Sequence, residues 1–337
     1  MSMRETAPDL VDVWRGAMVE SRHRGSFTVV DGDGHLVEAV GDVERPVYPR
    51  SAIKPLQALP LVETGAADAL AVRPEELAIA CASHGGEPAH VAVVAGWLAR
   101  LGLDAGALEC GAHPPSHAPS ARALYADRRD PTALHNNCSG KHTGMVATCR
   151  YLTEPSAGYI ALEHPAQQRV IRVLSEMCGV ALQNAPRGID GCGLPQLGIP
   201  LAALARAFAR FGAPAGLAAT RAEACRRIAA AILEHPFMLA GTGRFCTRAI
   251  EAMRGKALVK TGAEGVYVAS IPARGLGIAL KIEDGAGRAA EVAMAALLVR
   301  YAGLDEAETR ALQPLCKPPI NNVAGRPVGN LAPAPGF

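Results

Sequence analysis

Ser51-Ala52-Ile53-Lys54 stands where an extended N-terminal region gives way to helix, and Lys260-Thr261-Gly262 stands on an alternating strand far along the chain. S-x-x-K and K-T-G are the two outer elements of a serine acyl-transfer site. Residues three apart on a helix share a face, so the Lys54 amine is in reach of the Ser51 hydroxyl. That hydroxyl is a poor nucleophile until a base takes its proton, and a lysine serves as base only when partly neutral. Burial beside a second cation, here Lys260, lowers a lysine pKa and supplies that state. A lone S-x-x-K is more often a capping serine with a solvated lysine. The matching K-T-G reverses those odds. Three of the six lysines (Lys54, Lys141 and Lys260) fall in glycine-, serine- or proline-marked motifs.

Outward from Ser51, Val11-Asp12-Val13-Trp14 and residues 26–30 and 35–40 read as strands, the last two joined by the hairpin signal Asp31-Gly32-Asp33-Gly34. Pro49-Arg50-Ser51 leads into an apolar helix running to about residue 64. From Pro74 to about Met253 the chain is mostly helical, with helical periodicity over 87–101, 140–152, 165–177, 201–211 and 222–233, and a further helix opening at Gly241-Thr242-Gly243. Alternation returns over 257–260, 265–271 and 275–282, and an amphipathic helix spans about 288–301. Strands at both ends with helices between predict an α+β fold: an antiparallel sheet built from both termini and flanked by helices, with a helical middle lobe. The expected organisation is one catalytic unit over 1–337 with two interleaved lobes: a sheet lobe from 1–50 and 255–303, and a mainly helical lobe from 65–250. The Pro-, Gly- and Ala-rich stretch 325–337 reads as a loose C-terminal tail.

Composition narrows the partners. A net charge of +2 without a basic run argues against nucleic acid or an anionic membrane. The first ten residues carry no apolar core of a signal peptide, and no run of apolar residues is long enough to span a bilayer, so a cytoplasmic location is expected. Nine cysteines in an odd number, without framework spacing, read mostly as small buried hydrophobes in a reducing compartment.

Two of those cysteines stand apart. Cys138 lies in the polar run His135-Asn136-Asn137-Cys138-Ser139-Gly140-Lys141-His142-Thr143-Gly144, and Cys192 in Gly188-Ile189-Asp190-Gly191-Cys192-Gly193. Thiols on two distant turns suit a soft metal such as zinc, although the spacing is no zinc-finger pattern and two ordinary buried thiols fit it better. His135 and His142 are the conventional choices for a third ligand; Lys141 ligates only as a neutral amine. Cys81-Ala82-Ser83-His84-Gly85-Gly86 occupies the place of the middle element of the acyl-transfer site. There Ser83 is either a proton relay between the lysines or the cap of the helix beginning near Glu87. The remaining histidines, His84 included, read as surface or satisfied core residues.

These residues resemble the rhizobial-type, or class 3, L-asparaginases, which share the fold of the β-lactamases and serine glutaminases. The resemblance covers nearly the whole chain. It rests on Tyr48-Pro49-Arg50-Ser51-Ala52-Ile53-Lys54-Pro55, Ser83-His84-Gly85-Gly86, Asn137-Cys138-Ser139-Gly140-Lys141-His142, Asp190-Gly191-Cys192-Gly193 and Lys260-Thr261-Gly262-Ala263-Glu264-Gly265. It implies two serine–lysine tandems, Ser51 with Lys54 and Ser83 with Lys260, and a zinc ion held by Cys138, Lys141 and Cys192. It further implies substrate contacts at Arg50, His142, Asp190 and Gly262, and a homodimer. The expected activity is hydrolysis of L-asparagine to L-aspartate and ammonia. A glutaminase or other small-amide hydrolase is the alternative within enzymes, since one methylene in a pocket discriminates by only about 1–3 kcal/mol. Outside enzymes, the alternative is a zinc- or amino-acid-binding sensor with the same fold.

Overall fold

The hairpin at Asp31-Gly32-Asp33-Gly34 organises the largest sheet of the computed structural model, which describes residues 7–337. The expectation of no signal peptide therefore rests partly on residues outside those described. The chain divides into two compact units. One comprises the residues up to Ala52, Ile199–Ala213 and Ala249–Phe337; the other comprises Ile53–Gly198 and Pro214–Arg248.

The first unit carries β1 (Asp9–Arg15), β2 (Met18–Asp31), β3 (Leu36–Val40), β4 (Leu258–Thr261), β5 (Val266–Ile271), β6 (Leu276–Ile282), β7 (Pro319–Asn321) and β8 (Pro327–Pro333). They form one antiparallel sheet in the order β7-β8-β1-β2-β6-β5-β4, with β3 also paired to β2. Strands from both ends of the chain thus meet, as the α+β expectation requires, through the β2–β6 register Asp31↔Leu276 to Gly25↔Ile282. Helices α5 (Leu201–Gly212) and α7 (Gly287–Tyr301) pack on these strands, and β5 is buried at all six positions. A strand covered on both faces loses the polar half of its alternation. Gly277 sits where β6 meets α5 most closely, since a Cβ there would lie 1.9 Å from the Ala205 carbonyl oxygen.

Two expectations need correcting here. Residues 325–337 are no loose tail: β8 pairs with β1 from Val11↔Pro333 to Arg15↔Gly329. β8 is held between β1 and the short β7, and its pairing with β1 joins opposite ends of the chain, so composition alone misleads. The helix over 201–211 belongs with the sheet unit and not with the helical middle of the chain. It forms where expected, and its apolar face determines where it docks.

The second unit is helical, built on α1 (Pro74–Ala80), α2 (Pro88–Arg100), α3 (Ser139–Tyr151), α4 (Pro165–Cys178) and α6 (Ala219–Glu234). Glu76 in α1 is fully buried, and its carboxylate accepts from both Arg100 guanidinium nitrogens at 2.7 Å and from Arg73. These bonds hold it below the usual carboxylate range against the opposing effect of burial. Helix α8 (Glu306–Cys316), in the sheet unit, begins at Asp305, whose side chain accepts from Glu308 N–H at 2.8 Å. No helix among the described residues is long and apolar enough to cross a membrane.

Candidate active site

Ser51 does not sit on one regular helix. Arg50–Ile53 is a 3-10 turn, followed by short α-helical pieces at Lys54–Gln57 and Leu59–Glu63. Pro55 and Pro60 remove amide donors from this run, so the i→i−4 ladder is interrupted and the expected continuous helix is segmented. Just before the serine, Arg50 has φ +52°, in the left-handed region that a non-glycine residue occupies at a cost of about 1–3 kcal/mol. Such strain is held in place by its surroundings, and one constraint is visible. Gly262 packs so tightly on this turn that a Cβ would lie 2.6 Å from the Pro49 carbonyl oxygen. Within the sheet unit, the K-T-G segment therefore lies against the turn that presents Ser51. Lys260, at the end of β4, is fully buried and donates to the Thr261 carbonyl at 2.9 Å.

The helical unit gathers the other candidates. Lys54 is fully buried; its amine donates to the Ala82 carbonyl at 2.5 Å and to Ser83 Oγ at 3.0 Å. Burial lowers its pKa from the ordinary lysine value, Cys138 opposing and Lys141 adding to the effect. Ser83 is no helix cap, because Glu87 takes that position ahead of α2; its N–H donates to the Leu239 carbonyl at 2.9 Å. Its hydroxyl meets Lys54, the amine that the family resemblance assigns to Ser51.

Helix α3 is buried over its whole first turn although that turn reads Ser139-Gly140-Lys141-His142. Buried polar groups need partners, and here they have them. Asn136 braces the entry, donating to the Cys110 and Gly111 carbonyls while its Oδ1 accepts from Cys138 N–H at 2.8 Å. Gly140 lets α3 approach α1, since a Cβ would lie 2.2 Å from the Ile79 carbonyl oxygen. His84 Nδ1 accepts from Gly86 N–H, so its Nε2–H donates to Ser139 Oγ at 2.9 Å. Burial, with His90 and Lys54 nearby, holds this imidazole well below the usual value, and it is a neutral core residue.

Cys138 precedes α3, Lys141 lies in its first turn, and Cys192 sits on the turn between the short strands Arg187–Ile189 and Pro195–Leu197. Asp190 anchors that turn by accepting from Gly191 N–H at 2.7 Å and from Gln196 at 3.1 Å. The Lys141 amine lies 3.1 Å from Cys192 Sγ. Hydrogen bonding from Cys192, aided by Lys141 and Lys54, outweighs burial and holds the Cys138 thiol well below its usual pKa, while the same bond pushes Cys192 up. Burial pulls Lys141 down, but the two sulfurs outweigh it and hold the amine above the ordinary value. Two soft sulfurs and an amine thus converge in a buried place. That donor set suits a thiophilic divalent metal.

One neighbour carries no sequence signal. Tyr159 is fully buried, its hydroxyl 2.6 Å from His142 Nδ1. It lies in an irregular segment, where neither periodicity nor a motif marks it.

A family match over nearly the whole chain makes this protein an enzyme, a hydrolase acting on a linear amide. The family is L-asparaginase II, whose model matches residues 11–333, and the chain belongs to it. No curated protein matches the sequence. Among solved structures, a β-lactamase from Mycobacterium bovis is similar, with a TM-score of 0.44 and 15% identity over 82% of this chain and 95% of that one.

Proposed function

We propose that the protein is an L-asparagine amidohydrolase of the rhizobial, class 3 type, working by serine–lysine acyl transfer with a zinc site nearby. The observation that carries the reading is Lys54: fully buried, its pKa lowered, bonded to Ser83 Oγ and three positions after Ser51. The lowered pKa shifts this amine towards the neutral form that a proton acceptor needs. Ser51 Oγ attacks the side-chain amide carbon as Lys54 takes its proton, and the Ser51 N–H is one donor to the oxyanion. Ser83 passes the proton onward to the departing ammonia. Water then releases the acyl-enzyme as L-aspartate. Lys260 is the second required amine, supported by its burial and by the close approach of Gly262 to the turn before Ser51. Arg50 and Asp190 are assigned to substrate contact, and the setting is a cytoplasmic homodimer, testable by localisation and by light scattering.

Side-by-side ammonia release from L-asparagine, L-glutamine and D-asparagine tests the assignment. L-Asparagine should be the preferred substrate by at least about tenfold in kcat/KM, the order expected for one methylene in a fitted pocket. Equal or greater turnover of L-glutamine would transfer the assignment to a glutaminase. Stoichiometric binding without ammonia would transfer it to a sensor.

Cys138, Lys141 and Cys192 would hold the zinc. When bound, the ion supplies a Lewis acid that fixes a substrate oxygen, and activity depends on it only in part because the serine–lysine pair provides the nucleophile. Without metal the Lys141 amine keeps its proton above the ordinary lysine pKa, so metal and proton compete for one lone pair. Zinc content should therefore fall as pH is lowered. Elemental analysis after dialysis across a pH series reads this, with Cys138→Ala and Cys192→Ala as controls. Wild type holding no more zinc than the double variant would return both cysteines to plain buried thiols.

A further inference from the structure

Tyr159 Oη has two hydrogen-bond neighbours. Glu109 N–H donates to it at 2.9 Å, and His142 Nδ1 lies 2.6 Å away. A phenol oxygen has one proton to give. Buried in the core, the hydroxyl needs an acceptor for that proton, and His142 Nδ1 is the one it meets among the described residues, so the proton goes to Nδ1, Nδ1 is bare and the ring proton resides on Nε2. His142 is fully buried, and its Nε2 has no hydrogen-bond partner among the described residues. The arrangement is held from behind. Gln167 donates to the Tyr159 carbonyl at 2.8 Å, and the two rings meet edge to face at 5.5 Å. His142 follows Lys141 in the first turn of α3, and both side chains are buried.

We propose that Tyr159 is a positioning residue: it locks His142 as the Nε2–H tautomer, so that one buried N–H donor awaits an oxygen of the bound substrate. A protonated Nε2 has no lone pair in the ring plane, so His142 is a hydrogen-bond donor and not the metal ligand that sequence spacing allowed. The identity of the acceptor rests on the amidohydrolase reading; the tautomer does not.

Long-range proton–nitrogen NMR of histidine-labelled protein reads the ring nitrogens directly, with His142→Gln assigning the resonances. Wild type should show Nε2 protonated and Nδ1 bare, and saturation with L-aspartate should move the Nε2 signal. Tyr159→Phe keeps the ring but removes the acceptor and donor. It should redistribute the tautomer towards Nδ1–H and raise KM for L-asparagine at least about tenfold with a smaller change in kcat, the signature of a lost binding contact. A protonated Nδ1 in wild type overturns the lock, and this measurement needs no variant to fold. An Nε2 signal indifferent to L-aspartate, or an unchanged KM in folded Tyr159→Phe, overturns the role in positioning. Because the tautomer is read without turnover, failure of amide hydrolysis would overturn the functional reading and leave the lock standing.

Discussion

Ser51→Ala is expected to lose at least about a thousandfold in turnover, as when the nucleophile of a covalent mechanism is deleted. The size of the effect follows from the surroundings. Arg50 is held at φ +52° immediately before the serine, and Gly262 closes on the Pro49 carbonyl from the K-T-G turn. Backbone held in this way presents one hydroxyl at that turn. The substitution removes a single oxygen from a half-buried position, so the melting temperature should move little. Initial rates of ammonia release, with circular dichroism as the folding control, decide it. Near-normal turnover in a folded Ser51→Ala protein would remove Ser51 from the mechanism.

The two buried lysines should be almost as sensitive. Arginine keeps the positive charge but has no accessible neutral form, so Lys54→Arg or Lys260→Arg removes a proton acceptor while leaving a cation. Activity should fall about a hundredfold or more in each, the range of general acid–base contributions. Both side chains are fully buried, and the bulkier guanidinium fits poorly, so Lys→Met serves as a companion that preserves length. Loss in all four folded variants supports proton transfer. Normal rates in the arginine variants and loss in the methionine variants would instead make the lysines electrostatic supports. For Lys54 the sign of the pH effect is fixed by its lowered pKa. The neutral amine is the active form, so kcat/KM should rise with pH along a limb centred below 10.5.

Much of this architecture is written in local patterns. The returning strands expected over 257–260, 265–271 and 275–282 are β4, β5 and β6 to within a residue or two, because Gly and Pro punctuate them and β-branched residues fill them. The helices over 165–177 and 201–211 are equally plain from their apolar stripes. What escaped lacked such patterns. β8 is rich in Pro, Gly and Ala and owes its existence to pairing with β1, a contact between sequence positions far apart. The docking of α5 on the sheet depends on where its apolar face finds a partner, which no short window contains. In the candidate site, the serine, lysine and cysteine positions announce themselves through glycine-marked motifs. Tyr159 does not, because its work is to brace another residue through the ring nitrogen it touches. Ser83 is a middle case: its type left cap and relay open, and the hydrogen bond from Lys54 favours the relay.

The pairing of β2 with β6 also sets a timetable for synthesis. β1, β2 and β3 are close in sequence and can meander together early, while one side of the second half of β2 waits for β6. About 245 residues lie between Asp31 and Leu276, so at about 5–20 residues per second a ribosome takes roughly 12–50 s to deliver the missing strand. Throughout that interval Phe27, Val29 and Val30 stand on an unfinished edge, the kind of surface on which nascent chains stick to one another. The stretch Ile53–Gly198 emerges in one piece and is free to condense during the wait. Mistakes in making this enzyme should therefore concentrate in the sheet, and a chaperone that shields extended apolar segments should raise the yield of active protein more than one that acts on helices.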